Sequence, residues 1–187
     1  MTRAEAVALV LSRLPDDDIV VAADGAISRE AYRAHDRLRT FYMLGSMGQV
    51  ASIALGLAMT RPERVVALDG DGNVLMGFGG LAMVGGLKPP NLFHVVLDNG
   101  CYATTGGQPA LSQKVDLAAV ASASGYRWAR RCLPGDDATG AVDVWLAAPG
   151  PAFLDLAVEV ADRDTAPRVP MTPEEMADRV RAALAPG

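Results

Sequence analysis

The stretch "VVALDGDGNVLMGFGGLAMVGG", residues 65–86, joins an apolar strand to a glycine-rich helix through two acidic residues. Its first part has the continuous Val-rich character of a strand that is buried on both faces. Gly70 and Gly72 flank Asp71, so the backbone at the end of this strand lies open to a ligand. The helix predicted over 73–87 would direct its unpaired amide groups at an anion. The stretch therefore predicts a diphosphate cradle beside a carboxylate, although Gly-Asp-Gly alone is more typical of an ordinary turn.

Strand-like and helix-like segments alternate along the whole chain. Short, Val-rich runs indicate strands at 18–23, 64–69, 91–98, 125–131 and 152–160. Helix-like segments lie between and around them, at 3–14, 28–37, 47–60, 73–87, 115–124, 136–147 and 173–185. Such alternation implies right-handed crossovers, and therefore an α/β fold of three layers, α/β/α, around a mainly parallel sheet. A length of 187 residues, 50% of them hydrophobic, predicts a single domain over 1–187.

Two loop-like stretches interrupt this pattern, at 99–113 and 161–172. The last helix follows the second of them, where Thr172 is suited to cap the helix and Pro173 fits its first turn. His94 falls in the middle of a predicted buried strand, so we interpret it as a core histidine and not as a base.

The next predicted strand along the chain, at 91–98, also ends in polar residues, in "VVLDNGCYATTGGQ" at 95–108. Asn99 and its neighbours offer hard oxygen atoms, which suit Mg²⁺ shared with a substrate phosphate. A third glycine-flanked turn, "FYMLGSMG", precedes the helix at 47–60. Because ligands of such sheets bind beyond the carboxyl ends of the strands, these turns are expected to form one site.

Composition excludes several classes of partner. The formal net charge of -5 leaves no basic stripe, so neither nucleic acid nor an anionic membrane surface is expected as a partner. The N-terminal apolar run is broken by Arg13 and has no cleavage site, and no span approaches twenty apolar residues, so we expect a cytoplasmic protein. Cys101 and Cys132 lack metal-site spacing and are interpreted as free thiols.

The sequence "GDGN" followed at a distance by Asn99 resembles the GDG…N motif of thiamine diphosphate (ThDP) enzymes. The resemblance implies a ThDP-binding fold in which Asp71, Asn99 and the backbone carbonyl of Cys101 hold Mg²⁺. It also implies that Gly70, Gly72 and Asn73 lie at the diphosphate. Many members have Asn-Asn where this chain has Asp98-Asn99, but the metal-binding position is the second, so the ligand is kept.

Four further stretches narrow the resemblance: "FYMLGSMGQVASIALGLAM", "DGAISRE", "TTGGQPA" and "RVPMTPEE". Together they resemble the cofactor-binding part of the phosphonopyruvate and sulfopyruvate decarboxylases. The resemblance implies that Met47, in a turn with Gly45 and Ser46, lies beneath the cofactor and bends its two rings into a V. An ordinary core methionine is the alternative. Tyr102 would contact the cofactor, or would merely belong to a loop ordered by the metal.

The same resemblance suggests a substrate contact at the turn after the first strand. Ser28 and Arg29 would face the reacting end of the cofactor, where a guanidinium pairs with a phosphonate or sulfonate. An arginine on the helix surface that pairs with a nearby acid explains Arg29 equally well. The implied substrate is a three-carbon 2-oxo acid with an anionic 3-substituent.

One essential residue of the resembled enzymes is missing. Their activating glutamate lies in a separate pyrimidine-binding domain. The glutamates of this chain are expected at surface positions or on elements away from the site: Glu30, Glu63, Glu159, Glu174 and Glu175. We therefore expect the activating glutamate on a partner chain. The catalytic residue of this chain is therefore unassigned. We interpret the chain as the β subunit of a split, hetero-oligomeric decarboxylase whose α subunit supplies that domain. An acetolactate synthase-like carboligating subunit and a non-catalytic ThDP-binding module remain the alternatives.

Overall fold

The computed structural model describes residues 1–160 and 166–185. Its strands are β1 (Ile19–Ala22), β2 (Thr40–Tyr42), β3 (Val65–Gly70), β4 (Leu92–Asp98), β5 (Cys101–Tyr102), β6 (Gln108–Pro109), β7 (Trp128–Cys132) and β8 (Ala152–Ala157). Its α-helices are α1 (Arg3–Ser12), α2 (Ala26–Ala34), α3 (Val50–Thr60), α4 (Asp71–Met76), α5 (Gly79–Leu87), α6 (Leu117–Ser124), α7 (Ala138–Ala147) and α8 (Pro173–Ala183). A 3₁₀ turn covers Leu111–Gln113.

Six strands form one parallel sheet in the order β2-β1-β3-β4-β8-β7. The connections from β1 to β2 and from β7 to β8 move across the sheet toward the β2 edge. The other connections between its strands move toward the β7 edge. Right-handed crossovers therefore place α2 and α7 on one face and α3, α5 and α6 on the other. This arrangement confirms the predicted α/β fold with a parallel sheet and flanking helices.

The order of strands also locates the ligand edge. From the neighbouring strands β1 and β3 the chain departs in opposite directions, which makes the crevice beyond their carboxyl ends the expected binding place. Gly70, the last residue of β3, pairs with Leu97 of β4, so the loops after these two strands emerge side by side.

The core consists of the apolar strands and the helix faces that cover them. Every residue of β1 and β4 is buried, as expected for strands covered on both faces. His94 in β4 is fully buried and lies between Asp69 (Nε2 to Oδ2, 3.1 Å) and the hydroxyl of Tyr126 (3.2 Å). The interpretation of His94 as a core histidine is therefore confirmed.

The ends of the helices follow their capping residues. Thr172 caps α8 in a capping box with Glu175, and Pro173 is the first helical residue, as the sequence predicts. Thr2 forms the same kind of box with Glu5 at the start of α1. This cap fixes the position of the first residue of α1, Arg3, which matters for the site below.

Besides small shifts at the ends of several elements, the structure differs from the predicted elements in four places. The helix predicted over 73–87 is two helices, α4 and α5, because Gly77 packs directly on Gly48: a Cβ at Gly77 would overlap the Gly48 carbonyl oxygen. The short edge strand β2 was not predicted. The predicted loop at 99–113 contains the β5–β6 hairpin, and the last strand ends at Ala157 instead of 160.

Within the predicted loop at 161–172, residues 161–165 lie outside the described residues, and 166–171 form neither helix nor strand. In the described parts of the chain, no helix combines the length and the apolar character needed to cross a membrane.

Candidate active site at the carboxyl edge of the sheet

A cleft opens where the loops after β1, β3 and β4 meet. The residues that line it include Asp24, Ile27, Met47, the segment 70–73, Asn99, Cys101 and Tyr102. The structure thus brings together most of the site residues predicted from the sequence. Ser46 is exposed and does not line this cleft, and Gly45, Ser28 and Arg29 line a second cavity next to it.

The segment 70–73 is the start of α4, two residues earlier than predicted. Gly70 is the N-cap and has no side chain with which to cap, so the first amide groups of α4 have no side-chain partner at this cap. A Cβ at Gly72 would lie 2.5 Å from the ring of Tyr102, which shows that the β5–β6 hairpin closes directly onto this turn. A residue with a side chain at this position would have to displace the Tyr102 ring, so glycine lets the hairpin pack directly on the start of α4.

Asp71 is almost fully buried beside a second carboxylate. The hydroxyl of Ser112 lies 2.8 Å from Asp71 Oδ2 and 2.9 Å from Asp98 Oδ1. A hydroxyl has one proton, so it donates to only one of these carboxylates at a time. Burial, with a further contribution from Asp98, raises the pKa of Asp71 to about 6, although the hydrogen bond from Ser112 opposes this. A cation at Asp71 would stabilise its ionised form.

Asn99 and Cys101 complete an all-oxygen set of possible metal ligands. The Asn99 side-chain oxygen accepts a hydrogen bond from the backbone N–H of Cys101 (3.1 Å), across Gly100, whose φ is +70°. Asp71, Asn99 and Cys101 line one cleft. A carboxylate, an amide and a carbonyl oxygen are ligands that Mg²⁺ takes in proteins, so these residues fit the metal that the resemblance implies. In residues 1–160 and 166–185, no group of three His, Cys, Asp or Glu residues is arranged for another metal.

The turn before α3 is held against the start of α4. The side-chain oxygen of Asn73 accepts a hydrogen bond from the backbone N–H of Gly48, and its Nδ2 donates to Asp24 (3.4 Å). Gly45, Ser46 and Gly48 all have positive φ, at 74°, 54° and 93°. Positive φ is ordinary for the two glycines, so only Ser46 is strained, and the turn presents Met47 to the cleft.

The second cavity, of about 460 Å³, adjoins the cleft and shares Asp24 with it. Arg29 is half-buried in its wall, with its Nε donating to the Gly25 carbonyl (3.1 Å), and Arg168 lines the same cavity. The Ser28 hydroxyl is buried and donates to the Ala22 carbonyl (3.1 Å). Burial above all, and secondarily Asp69, raises the pKa of Asp24. Among the described residues, the wall of this cavity therefore includes two guanidinium groups and one carboxyl group.

A chain of charged side chains extends away from Asp71, in which Asp98 and Asp155 are buried and Arg131 is partly exposed. Asp98 Oδ2 accepts a hydrogen bond from Arg131 (3.0 Å), and Arg131 Nε lies 3.1 Å from Asp155 Oδ2. Asp155 is fully buried, and this burial is the main reason that its pKa is raised to about 7. These residues come from β4, β7 and β8, whose carboxyl ends are brought together only by the folded sheet.

Several residues of the site were not predicted from the sequence. Arg3 lines the cleft from the start of α1, and Ser112, Arg131 and Asp155 support Asp71 and Asp98 from behind. For Asp98 a signal existed, since it stands next to Asn99 at the end of a predicted strand. The others carry none, because each approaches the site from a distant part of the sequence.

Glu30, expected either at the surface or on an element away from the site, is not at the surface. Glu30 is buried on α2. Its carboxylate accepts two hydrogen bonds from the guanidinium of Arg3, one from Nε to Oε2 and one from Nη2 to Oε1, and both are 2.8 Å long. Glu63 instead pairs with Arg61 and Arg39. No glutamate lines the cleft in the described residues.

Comparison with known proteins agrees with this geometry. Residues 23–156 match the family described as "Thiamine pyrophosphate enzyme, C-terminal TPP binding domain". The chain is 47% identical over 181 residues to phosphonopyruvate decarboxylase of Streptomyces viridochromogenes, an alignment that covers 97% of this chain and 46% of that relative. The chain thus spans less than half the length of this relative.

A second relative is matched over nearly its full length. Sulfopyruvate decarboxylase subunit beta of Methanothermobacter thermautotrophicus is 41% identical over 179 residues, which are 96% of this chain and 93% of that relative. Among solved structures, the thiamine diphosphate-dependent 4-hydroxybenzoylformate decarboxylase of Rhodococcus jostii superposes with a TM-score of 0.72 at 22% identity, covering 87% of this chain and 33% of that one. It shares the fold. The resemblance inferred from the motifs is confirmed, and the chain belongs to the thiamine pyrophosphate enzymes, of which it contains the C-terminal TPP-binding domain.

Proposed function

We propose that this chain binds ThDP together with Mg²⁺ at the cleft. The diphosphate would lie on the start of α4, at Gly70, Gly72 and Asn73, and Mg²⁺ on Asp71, Asn99 and the carbonyl of Cys101. The observation that carries this proposal is the all-oxygen ligand set that lines one cleft with the uncapped, glycine-flanked start of α4. Tyr102, which lies against Gly72, would cover the diphosphate side of the cofactor.

We infer that the chain is the β subunit of a non-oxidative 2-oxo acid decarboxylase. Its relatives include phosphonopyruvate decarboxylase and sulfopyruvate decarboxylase subunit beta, and the latter has about the length of this chain. These names support decarboxylation over carboligation and over a non-catalytic module. They also support a partner α subunit, which on this proposal supplies the pyrimidine-binding domain with its activating glutamate and forms a hetero-oligomer with this chain.

The residues of this chain would then have separate tasks. When bound, ThDP supplies the electron sink that a 2-oxo acid needs in order to lose CO₂. Met47, held in its strained turn, would support the bent form of the cofactor, with Gly45 and Ser46 shaping that turn. Ser28 and Arg29 would form the wall of the substrate cavity, and the guanidinium of Arg29 would pair with the anionic 3-substituent of phosphonopyruvate or sulfopyruvate. The chain 1–187 would act as a single domain.

An assay of substrate range tests this proposal. The chain is purified together with its α subunit, and CO₂ release is measured from phosphonopyruvate, sulfopyruvate and pyruvate with ThDP and Mg²⁺ present. We expect turnover of one anionic substrate well above that of pyruvate. CO₂ release from pyruvate followed by carbon–carbon bond formation would favour the carboligating alternative. No turnover of any 2-oxo acid, with ThDP bound, would favour the binding module.

A further inference from the structure

The cofactor cleft contains a cation that neither the sequence motifs nor the metal ligands explain. Arg3 is the one Arg or Lys side chain among the described residues that line the cleft, whose formal charges otherwise come from Asp24 and Asp71. It is 6% exposed, so its guanidinium is held inside the protein and not on its surface. A diphosphate brings several negative charges into this acidic cleft, and a fixed guanidinium is suited to accept them.

Helix formation does not account for an arginine at this place. Arg3 is the first residue of α1, where the helix dipole favours acidic residues and opposes a cation. Its guanidinium is fixed by the two hydrogen bonds to Glu30, one helix away, while the capping box of Thr2 and Glu5 fixes the backbone from which it extends. The side chain is therefore oriented before a ligand arrives, which reduces the entropy lost on binding.

Glu30 approaches from the helix whose start lines the same cleft. Ala26 and Ile27, in the first turn of α2, are cleft residues, and Glu30 lies one turn further along. Its carboxylate thus both orients Arg3 and offsets its charge. The geometry points to Arg3 as a diphosphate-binding residue whose attraction for the anion is set by Glu30. This inference rests on the proposed ThDP site and adds to it a contact that lies outside the GDG…N motif.

The alternative is that the ion pair only joins α1 to α2. Replacing either partner would then disturb the protein in the same direction, because each change leaves the other charge buried without this partner. The two roles therefore predict opposite effects of removing the Glu30 charge on the affinity for the anion. If Arg3 attracts the diphosphate, removal of its charge weakens anion binding, and removal of the Glu30 charge strengthens it.

The experiment measures the binding of inorganic pyrophosphate and of ThDP, each with Mg²⁺, to the full chain by calorimetry. We expect Arg3→Gln to lower both affinities by roughly tenfold or more, the effect of losing a hydrogen bond to a charged group. Glu30→Gln should raise them by about threefold or more, since the Glu30 carboxylate no longer opposes the attraction of Arg3 for the anion. Arg13→Gln is the matched control, because it breaks a surface ion pair between Arg13, the residue that follows α1, and Asp143, and should leave both affinities unchanged.

Thermal unfolding of each variant checks that it is folded. If Arg3→Gln does not fold, Arg3→Lys, which keeps the charge, should retain most of the pyrophosphate affinity, and loss of that affinity in the folded Lys variant would count against the inference. If Arg3→Gln and Glu30→Gln lower the two affinities equally, or leave both unchanged, the pair only joins the two helices. That result would overturn this inference but not the proposed ThDP site. A wild-type chain that binds neither pyrophosphate nor ThDP would overturn the proposed cofactor site, and the inference with it.

Discussion

At the scale of the residue, the site depends on a carboxylate that the fold holds in an unfavourable environment. Asp71 is buried, next to Asp98, and its pKa is raised to about 6 before any cation is bound. Its burial is unfavourable for the apo chain and favourable for metal binding, because a divalent cation removes the repulsion between the two carboxylates. A residue that only served a turn would be expected to be solvated.

The first prediction concerns this carboxylate. Asp71→Ala should lower the Mg²⁺-dependent affinity for ThDP by more than about a hundredfold, since it removes a metal ligand, and should leave the apo chain folded. Calorimetry with and without Mg²⁺ measures the first effect, and thermal unfolding the second. Asp178→Ala, at an exposed position on α8, is the control. Unchanged ThDP affinity in the Asp71 variant would mean that the Gly-Asp-Gly segment is only a turn.

A second prediction follows from Asp155, whose raised pKa of about 7 is caused mainly by burial. Between about pH 4 and pH 7 the unfolded chain has this carboxyl ionised while the folded chain keeps it protonated. The free energy of unfolding therefore falls as the pH rises through this window, and levels off above it. Asp155→Asn should remove that decline and stabilise the chain at about pH 8 by on the order of a few kcal/mol, with little effect at about pH 4.

Urea unfolding of the two proteins across this pH range measures the difference in slope. A wild-type chain whose stability rises across the same window relative to the Asn variant would contradict the prediction, because it would mean that the ion pair with Arg131 outweighs burial.

Individual site residues were predictable where they follow strands in sequence. Asp71 and Asn99 directly follow β3 and β4, and the rule that ligands bind beyond the carboxyl ends of parallel strands was enough to bring them together. Ser112 and Arg131 were not predictable in this way, because their roles depend on contacts with carboxylates that only the folded sheet creates. The buried position of Glu30 was missed for the same reason, since its partner lies on another helix.

At the scale of the element, the break between α4 and α5 positions the turn that carries Met47. The helical pattern at 73–87 is continuous in sequence, so the break was not predictable from periodicity. Its cause is the contact of Gly77 with Gly48, two glycines that lie in different turns. The same contact, together with the hydrogen bond from the Gly48 N–H to Asn73, fixes the turn before α3 against the start of α4.

The third prediction tests this contact. Gly77→Ala should destabilise the chain by about 1–3 kcal/mol or more, since the added Cβ would overlap a backbone oxygen of Gly48 and the two turns must separate. Gly86→Ala is the matched control within α5, where no heavy atom lies within 4 Å of the added Cβ. That change should stabilise the chain by about 0.5–1 kcal/mol. Similar unfolding free energies for the two variants would contradict this account of the helix break.

The fourth prediction concerns Met47 itself. Met47→Ala should leave the affinity for Mg²⁺ and pyrophosphate unchanged, because the diphosphate cradle lies on α4, but should lower turnover of the assembled enzyme by at least about tenfold. The reason is that the cofactor is then free to leave the bent form in which its reacting atoms are close. Steady-state CO₂ release measures the loss of turnover, and pyrophosphate calorimetry measures the unchanged affinity. Full turnover in this variant would return Met47 to the role of an ordinary packing residue.

At the scale of the whole molecule, the cleft lies beside an apolar surface that the described residues leave exposed. Leu44, Met47, Met76 and Phe78 are 36–70% exposed, and the contact between Gly48 and Gly77 places the two segments that carry them side by side. The parallel sheet and the site edge followed from strand–helix alternation in the sequence. The extent of this surface did not, because it depends on how the broken helix lies against the turn.

Assembly with an α subunit is the subject of the last prediction. No glutamate lines the cleft in the described residues, and Glu30 is held by Arg3, so the chain alone should release CO₂ at a negligible rate. Titration with the α subunit at fixed ThDP and Mg²⁺ should produce activity that saturates at a defined subunit ratio. If the cofactor contacts both chains, ThDP should also tighten the complex, by mass action. Robust turnover by the chain alone would contradict the proposal of a split enzyme. Saturation that is independent of ThDP would not contradict that proposal, but would mean that the cofactor contacts this chain only.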